Sequence, residues 1–173
     1  MTASTTMIGS RTTFGVEFAQ SRSPNYLHVR LWISENWVGD IQDSVMPENM
    51  CAKLLRLGCP SKYPELAYRS EADCPPYEDL VERGGGSFGE SFDPFALRYY
   101  SVVSDRRIHL LWKLQEAYYP LFPDYPRHQY HYSVALADYR TALKAFIASM
   151  IDERHYIPRS DLPKLRDIEI DIG

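Results

Sequence analysis

The side chains with the plainest chemical capacity here are five histidines, three cysteines and a run of carboxylates. His128 and His131 stand three apart, a spacing that on a helix puts both imidazoles on one face for a metal ion. The residues around them instead alternate with period two, with His128, Tyr130, Tyr132, Val134 and Leu136 on one side. On such a strand an i, i+3 pair points to opposite faces, and no nearby spacing nominates the third ligand a metal needs. The expectation is no metal and no cofactor. Cys51, Cys59 and Cys74 contain no C-x-x-C pair, and nothing local activates a thiolate. Gly84-Gly85-Gly86-Ser87-Phe88-Gly89 lacks the following helix and the lysine of a phosphate loop, and reads as a flexible linker. No nucleophile elbow of the G-x-S-x-G type occurs. The catalytic alternative is therefore a small cytoplasmic hydrolase whose site the fold assembles from His109, His128, His131 and Asp138.

The carboxylates form the constellation that survives. Between Pro60 and Asp93 stand eight acids (Glu65, Glu71, Asp73, Glu78, Asp79, Glu82, Glu90 and Asp93) against three bases, so this segment is more negative than the whole chain at −4. A patch of one sign steers association with a partner of the other. Tyr77 and Phe88 are interleaved with Glu71, Asp73, Glu78, Asp79, Glu82, Glu90 and Asp93, and aromatic anchors ringed by charge are good interface chemistry. These nine residues are the candidate binding surface, with a basic protein as the partner.

The elements that position them follow from periodicity. Thr12–Phe18 alternates with Phe14, Val16 and Phe18 on one face; Tyr26–Ile33 repeats the pattern with Leu27, Val29, Leu31 and Ile33; after Ser34-Glu35-Asn36, Trp37–Ile41 returns. Connections this short make an antiparallel meander. Pro47 and Glu48 open a helix with Met50, Leu54 and Leu57 on its apolar face, flanked by Cys51 in the role of a small buried residue; Gly58 is its expected C′ residue and Pro60 blocks continuation. Residues 60–94 form an acidic, loop-rich insertion with a short helix over Pro76–Glu82. Phe95–Val103 and Arg107–Leu114 make a hairpin about Ser104-Asp105-Arg106, with Ile108, Leu110, Trp112 and Leu114 on its core side. His128–Leu136 is a further strand, Asp138 an N-cap, and Tyr139–Asp152 a helix with Tyr139, Leu143, Phe146, Ile147 and Met150 along its stripe. Ile168, Ile170 and Ile172 alternate as a late edge strand. The fold class is α+β, a single domain over 1–173 with one antiparallel sheet of five to seven strands and two principal helices.

At 173 residues and 45% hydrophobic, the chain can bury a core without a disulfide or metal. An odd cysteine count, no secretory apolar core in Met1–Thr6 and no membrane-length apolar run give a cytoplasmic protein with reduced thiols. The acidic balance speaks against direct nucleic-acid binding.

One stretch resembles a known family. Ile8-Gly9, then Phe14-Gly15-Val16-Glu17-Phe18, Leu31-Trp32-Ile33 and Val38-Gly39-Asp40 are similar to the opening of immunity-protein family forty-two, from bacterial polymorphic-toxin systems. The likeness covers about the first third of the chain, with a fainter echo over His131–Phe146. Trp37 stands where the family more usually has a glycine-containing turn, and Pro60–Asp93 has no counterpart in it. The resemblance implies a non-enzymatic protein, part of a toxin-antitoxin-like pair, that binds a cognate toxin domain of the contact-dependent growth inhibition type and occludes its active site. A nuclease-type effector is the partner expected, and the free protein would be a monomer or weak dimer. Ile8, Gly9, Phe14, Glu17, Phe18, Trp32, Gly39 and Asp40 carry the motif and are expected to be scaffold, leaving recognition to the acidic segment. A protein-binding adaptor is the remaining reading.

Overall fold

Alternation of apolar and polar side chains builds the first sheet. In β2 (Phe14–Gln20) and β3 (Leu27–Ile33) the aligned residues Phe14, Val16, Phe18, Leu27, Val29, Leu31 and Ile33 are all at most 2% exposed. They pair antiparallel in the register Phe14↔Ile33 to Gln20↔Leu27. A computed structural model describes residues 5–23, 25–59, 64–82, 88 and 90–150. β1 (Thr6–Gly9) adds to the outer edge of β2, and β4 (Asn36–Val38) and β5 (Ser44–Val45) both pair with β3. The β3–β4 turn is tight because Ser34 and Glu35 both hold positive φ, 48° and 68°, the twist a two-residue hairpin needs. Gly39, at φ +104°, lies so close to Phe92 that a Cβ would meet its ring at 2.5 Å, which accounts for the residue type there.

The second sheet has the order β6 (Ala67–Tyr68), β7 (Arg98–Val102), β8 (Arg107–Trp112), β9 (Tyr130–Ala135), antiparallel except for the parallel β6–β7 pair. The α+β class is as the patterning predicts; the strands divide between two sheets, of five and four, instead of forming one. α1 (Pro47–Gly58) and α3 (Leu136–Ala148) pack against each other and against both sheets. Tyr139 donates its hydroxyl to the Leu54 carbonyl at 2.7 Å, and Arg140 Nε donates to that of Gly58 at 2.9 Å. Phe14 meets Tyr139 and Phe18 meets Phe146 by their rings, so one core joins the sheets through the helices.

Several local expectations are corrected. Gly58 ends α1 from inside, with Cys59 as the cap. α3 starts at Leu136, putting Asp138 in its first turn with Ala135 as the N-cap; backbone leaving β9 already has the extended conformation a cap requires. His109 and Leu111, placed by alternation opposite the core, are buried as well, at 3% and 5%. Leu111 is covered by α2 (Tyr77–Glu82), which closes a smaller cluster with Tyr77, Leu80, Ala96, Tyr100 and Val102 on the second face of this sheet, and His109 lies against the Tyr100 ring, His131 and Glu71. The acidic insertion is thus partly woven into the fold: it supplies β6, α2 and short 3₁₀ turns at Pro64–Leu66 and Glu71–Asp73. Gly84–Gly86 and the strand expected at Ile168–Ile172 lie outside the described residues. No helix among the described residues is long and apolar enough to cross a membrane.

Candidate functional site

Two groups of ionisable side chains are gathered by this topology. The first lies on the outer face of the first sheet. Glu17, only 3% exposed, accepts hydrogen bonds from Arg30 Nε at 2.9 Å and Trp32 Nε1 at 2.6 Å, and Arg11 stands 3.8 Å away. Arg11 lies over the Trp32 ring, and Arg30 lies within 5.5 Å of both Trp32 and Trp37. Burial would raise the Glu17 carboxyl, but the bonds from Arg30 and Trp32 and the Arg30 charge outweigh it, and the net shift is below the usual range. Oε2 accepts both hydrogen bonds and Oε1 faces Arg11, so the carboxylate is engaged from within the sheet and this group reads as scaffold. The other motif residues are likewise tied into the fold. Ile8 packs on the core, Phe14 and Phe18 are in it, and Gly9 holds φ +82° where β1 turns. Asp40 accepts from the Gln42 amide at 2.9 Å, while its own amide donates to the Ser91 carbonyl.

The second group lies on the covered face of the second sheet. Tyr100 in β7 pairs directly with His109 in β8, and Leu111↔His131 sets β9 so that His131 falls diagonally beside His109. The Tyr100 ring stacks on the His109 ring at 4.8 Å and 12°. His109 Nδ1 lies 2.9 Å from His131 Nε2 and 3.6 Å from Glu71 Oε1, which the 3₁₀ turn Glu71–Asp73 hangs over the sheet. That turn is itself fastened: the Ser70 hydroxyl and amide both donate to Asp73 Oδ2. The Tyr100 hydroxyl reaches His131 Nε2 at 3.5 Å. Burial first, then the neighbouring His131, push His109 below the usual imidazole range, with Glu71 opposing. Its ring is accordingly neutral near pH 7 and offers a lone pair. His109 Nε2 is buried without a hydrogen-bond partner among the described residues. Cys74 stands beside Tyr100 with its Sγ donating to the Ser70 carbonyl at 3.5 Å, and burial raises its thiol, so it is not poised as a thiolate. Cys51 is fully inside and pushed up to about 12 by burial and the Glu48 charge.

The histidine–aspartate constellation is not assembled as the sequence suggests. His109 and His131 meet, but His128 is exposed against Tyr130, and Asp138 is exposed in the first turn of α3. Glu71 takes the carboxylate place. Spacing along the chain could only test His128 with His131; His128 precedes β9, and the true neighbour of His131 comes from the adjacent strand, which local periodicity does not address.

The nine candidate binding residues also separate. Glu71, Asp73, Glu78, Glu82 and Asp93 are exposed and Asp79 is half-buried. Tyr77 and Phe88, expected as surface anchors, are buried at 8% and 3%, Tyr77 donating its hydroxyl to the Ala96 carbonyl at 2.9 Å. Each is drawn inward because its ring fills a gap the sheet leaves under α2 or beside Tyr99. The Glu90 side chain lies outside what the structure describes, and Asp93 falls within electrostatic range of Lys53 on α1, apart from the α2 group. Arg98 secures the end of α2, donating from Nε to the Leu80 carbonyl at 3.1 Å and from a terminal nitrogen to that of Val81 at 3.4 Å. The outcome is a fixed cap with Glu71, Asp73, Glu78 and Glu82 facing solvent.

No family model, curated protein or solved structure matches this chain.

Proposed function

We propose that this is a cytoplasmic, non-enzymatic immunity protein that binds a cognate toxin domain of a contact-dependent or polymorphic-toxin system and covers its active site. The observation that carries the reading is the acidic cap, in which Glu71, Asp73, Glu78 and Glu82 are exposed on a segment pinned by Tyr77, Leu80 and the Arg98 clamp. A preformed charged surface loses little entropy on binding, and its field accelerates encounter with a basic partner. A nuclease, whose own substrate cleft must be positive to hold phosphates, fits that surface. The resemblance of Ile8–Asp40 to immunity-protein family forty-two supports the same reading from another part of the chain. The aromatic cleft of about 430 Å³ between Trp37, Phe122, Tyr125 and Tyr130 offers a second, apolar contact.

The test is association with the toxin domain encoded beside it. The rate should fall steeply with salt, and Glu78→Lys with Glu82→Lys should slow it by roughly tenfold or more and remove protection. A rate indifferent to ionic strength, or full protection from the double variant, overturns the cap as the contact surface.

A further inference from the structure

Glu71, His109 and His131 come from three elements, yet their donor atoms all lie within 4.8 Å of one another. A hydrogen bond between two imidazoles explains one of these approaches, the 2.9 Å between His109 Nδ1 and His131 Nε2. It does not explain why a carboxylate oxygen is aimed at the same nitrogen from 3.6 Å. His109 Nδ1 has one lone pair or one hydrogen and cannot serve both neighbours well. A cation placed among the three satisfies all of them at once.

We infer that this cluster is a binding site for a borderline divalent transition metal, zinc being the reference ion, ligated by Glu71 Oε1, His109 Nδ1 and His131 Nε2. The donor set selects the class: imidazole nitrogens suit zinc, cobalt, nickel or copper, whereas magnesium and calcium take oxygen. Tetrahedral zinc with donors at about 2.0–2.2 Å holds neighbouring donors roughly 3.3–3.5 Å apart. The two separations from His109 Nδ1, 2.9 Å and 3.6 Å, bracket that spacing, and the third pair lies within 4.8 Å. Closing on an ion requires His131 to withdraw from His109 and Glu71 to approach, and both are exposed side chains. The third ligand is the fixed one. His109 is buried in β8 and stacked flat on Tyr100, so its ring plane is set before any ion arrives. Ligation through Nδ1 puts the ring hydrogen on Nε2, which is buried without a partner among the described residues. Three protein donors leave a fourth position for water or a donor from a partner.

The bound ion would stitch the Glu71–Asp73 turn to β8 and β9, fastening the acidic cap to the sheet. The site stands independently of the immunity reading, since a cap with a metal under it can serve any partner.

The full chain, stripped with chelator, is titrated with zinc by calorimetry and with cobalt by visible absorption. One equivalent should bind, cobalt should show tetrahedral ligand-field bands, and zinc should raise the unfolding midpoint. His131→Ala and Glu71→Gln, both at exposed positions, should each weaken binding at least about tenfold while circular dichroism stays unchanged. Should His131→Ala fail to fold, Glu71→Gln, which alters no shape, decides alone. Absence of binding, or binding undiminished in these variants, overturns the site.

Discussion

The two sheets each bury an ionisable group, and they treat it in opposite ways. On the first sheet Glu17 is met by Arg30, Trp32 and Arg11, so its charge and its hydrogen-bonding capacity are consumed. On the second, His109 keeps one nitrogen without a partner among the described residues and shares the other between His131 and Glu71. A saturated buried group holds a fold together, whereas donors crowded on one nitrogen, as at His109 Nδ1, can be satisfied together by an added cation. The contrast separates scaffold from site more sharply than burial does, since both residues are 3% exposed.

The largest test of the contrast is removal of each group. Glu17→Ala leaves the Arg30 guanidinium and the Trp32 indole without their acceptor, and should cost about 3 kcal/mol by urea denaturation. Gly39→Ala, which forces a Cβ into Phe92 at a positive φ, should cost roughly 2 kcal/mol and shows what a purely steric defect in the same region looks like. His109→Leu, by contrast, removes an imperfectly paired polar group from an apolar setting, and should leave stability within about 1 kcal/mol of the parent while abolishing metal binding. A His109→Leu loss as large as that of Glu17→Ala would erase the distinction.

Acid offers a gentler probe. Glu17 sits below its ordinary carboxylate value when folded, so the unfolded chain binds the proton more readily. Its contribution is present above the unfolded value, near 4.5, and is lost as pH falls through the lower folded value. Urea midpoints measured between pH 7 and pH 3 should therefore drop less steeply for Glu17→Gln than for the parent. The smallest effect belongs to the cap: Glu78→Lys should shift stability by no more than about 0.5 kcal/mol, because the carboxylate is exposed and needed only by a partner.

Much of the scaffold could be read from the chain. The period-two runs in β2 and β3, the Pro47 start of α1, the hairpin at Ser104–Arg106 and the short helix over Tyr77–Glu82 each depend on neighbours in sequence. Tyr77 and Phe88 were legible as aromatic anchors but not as buried ones, because an aromatic beside acids looks the same whether a sheet or a partner takes its ring. His109 and Leu111 were misjudged for a related reason: alternation says which residues share a face, and is silent on whether a later or earlier segment covers that face.

Local pattern in the chain set the meander of β2–β4, the Pro47 start of α1, the apolar stripe of α3 and the concentration of negative charge, and it offered no spacing of histidine or cysteine that could hold a metal. Those properties depend on periods of two and 3.6 residues and on composition. Only the tertiary structure decided that the strands split into two sheets, that α2 folds back over the second, and that Glu71, His109 and His131 meet. His109 and His131 are 22 residues apart in the chain yet 2.9 Å apart in space. Their meeting is set by the register of β8 against β9, a long-range pairing fixed by the cooperative burial of the whole core.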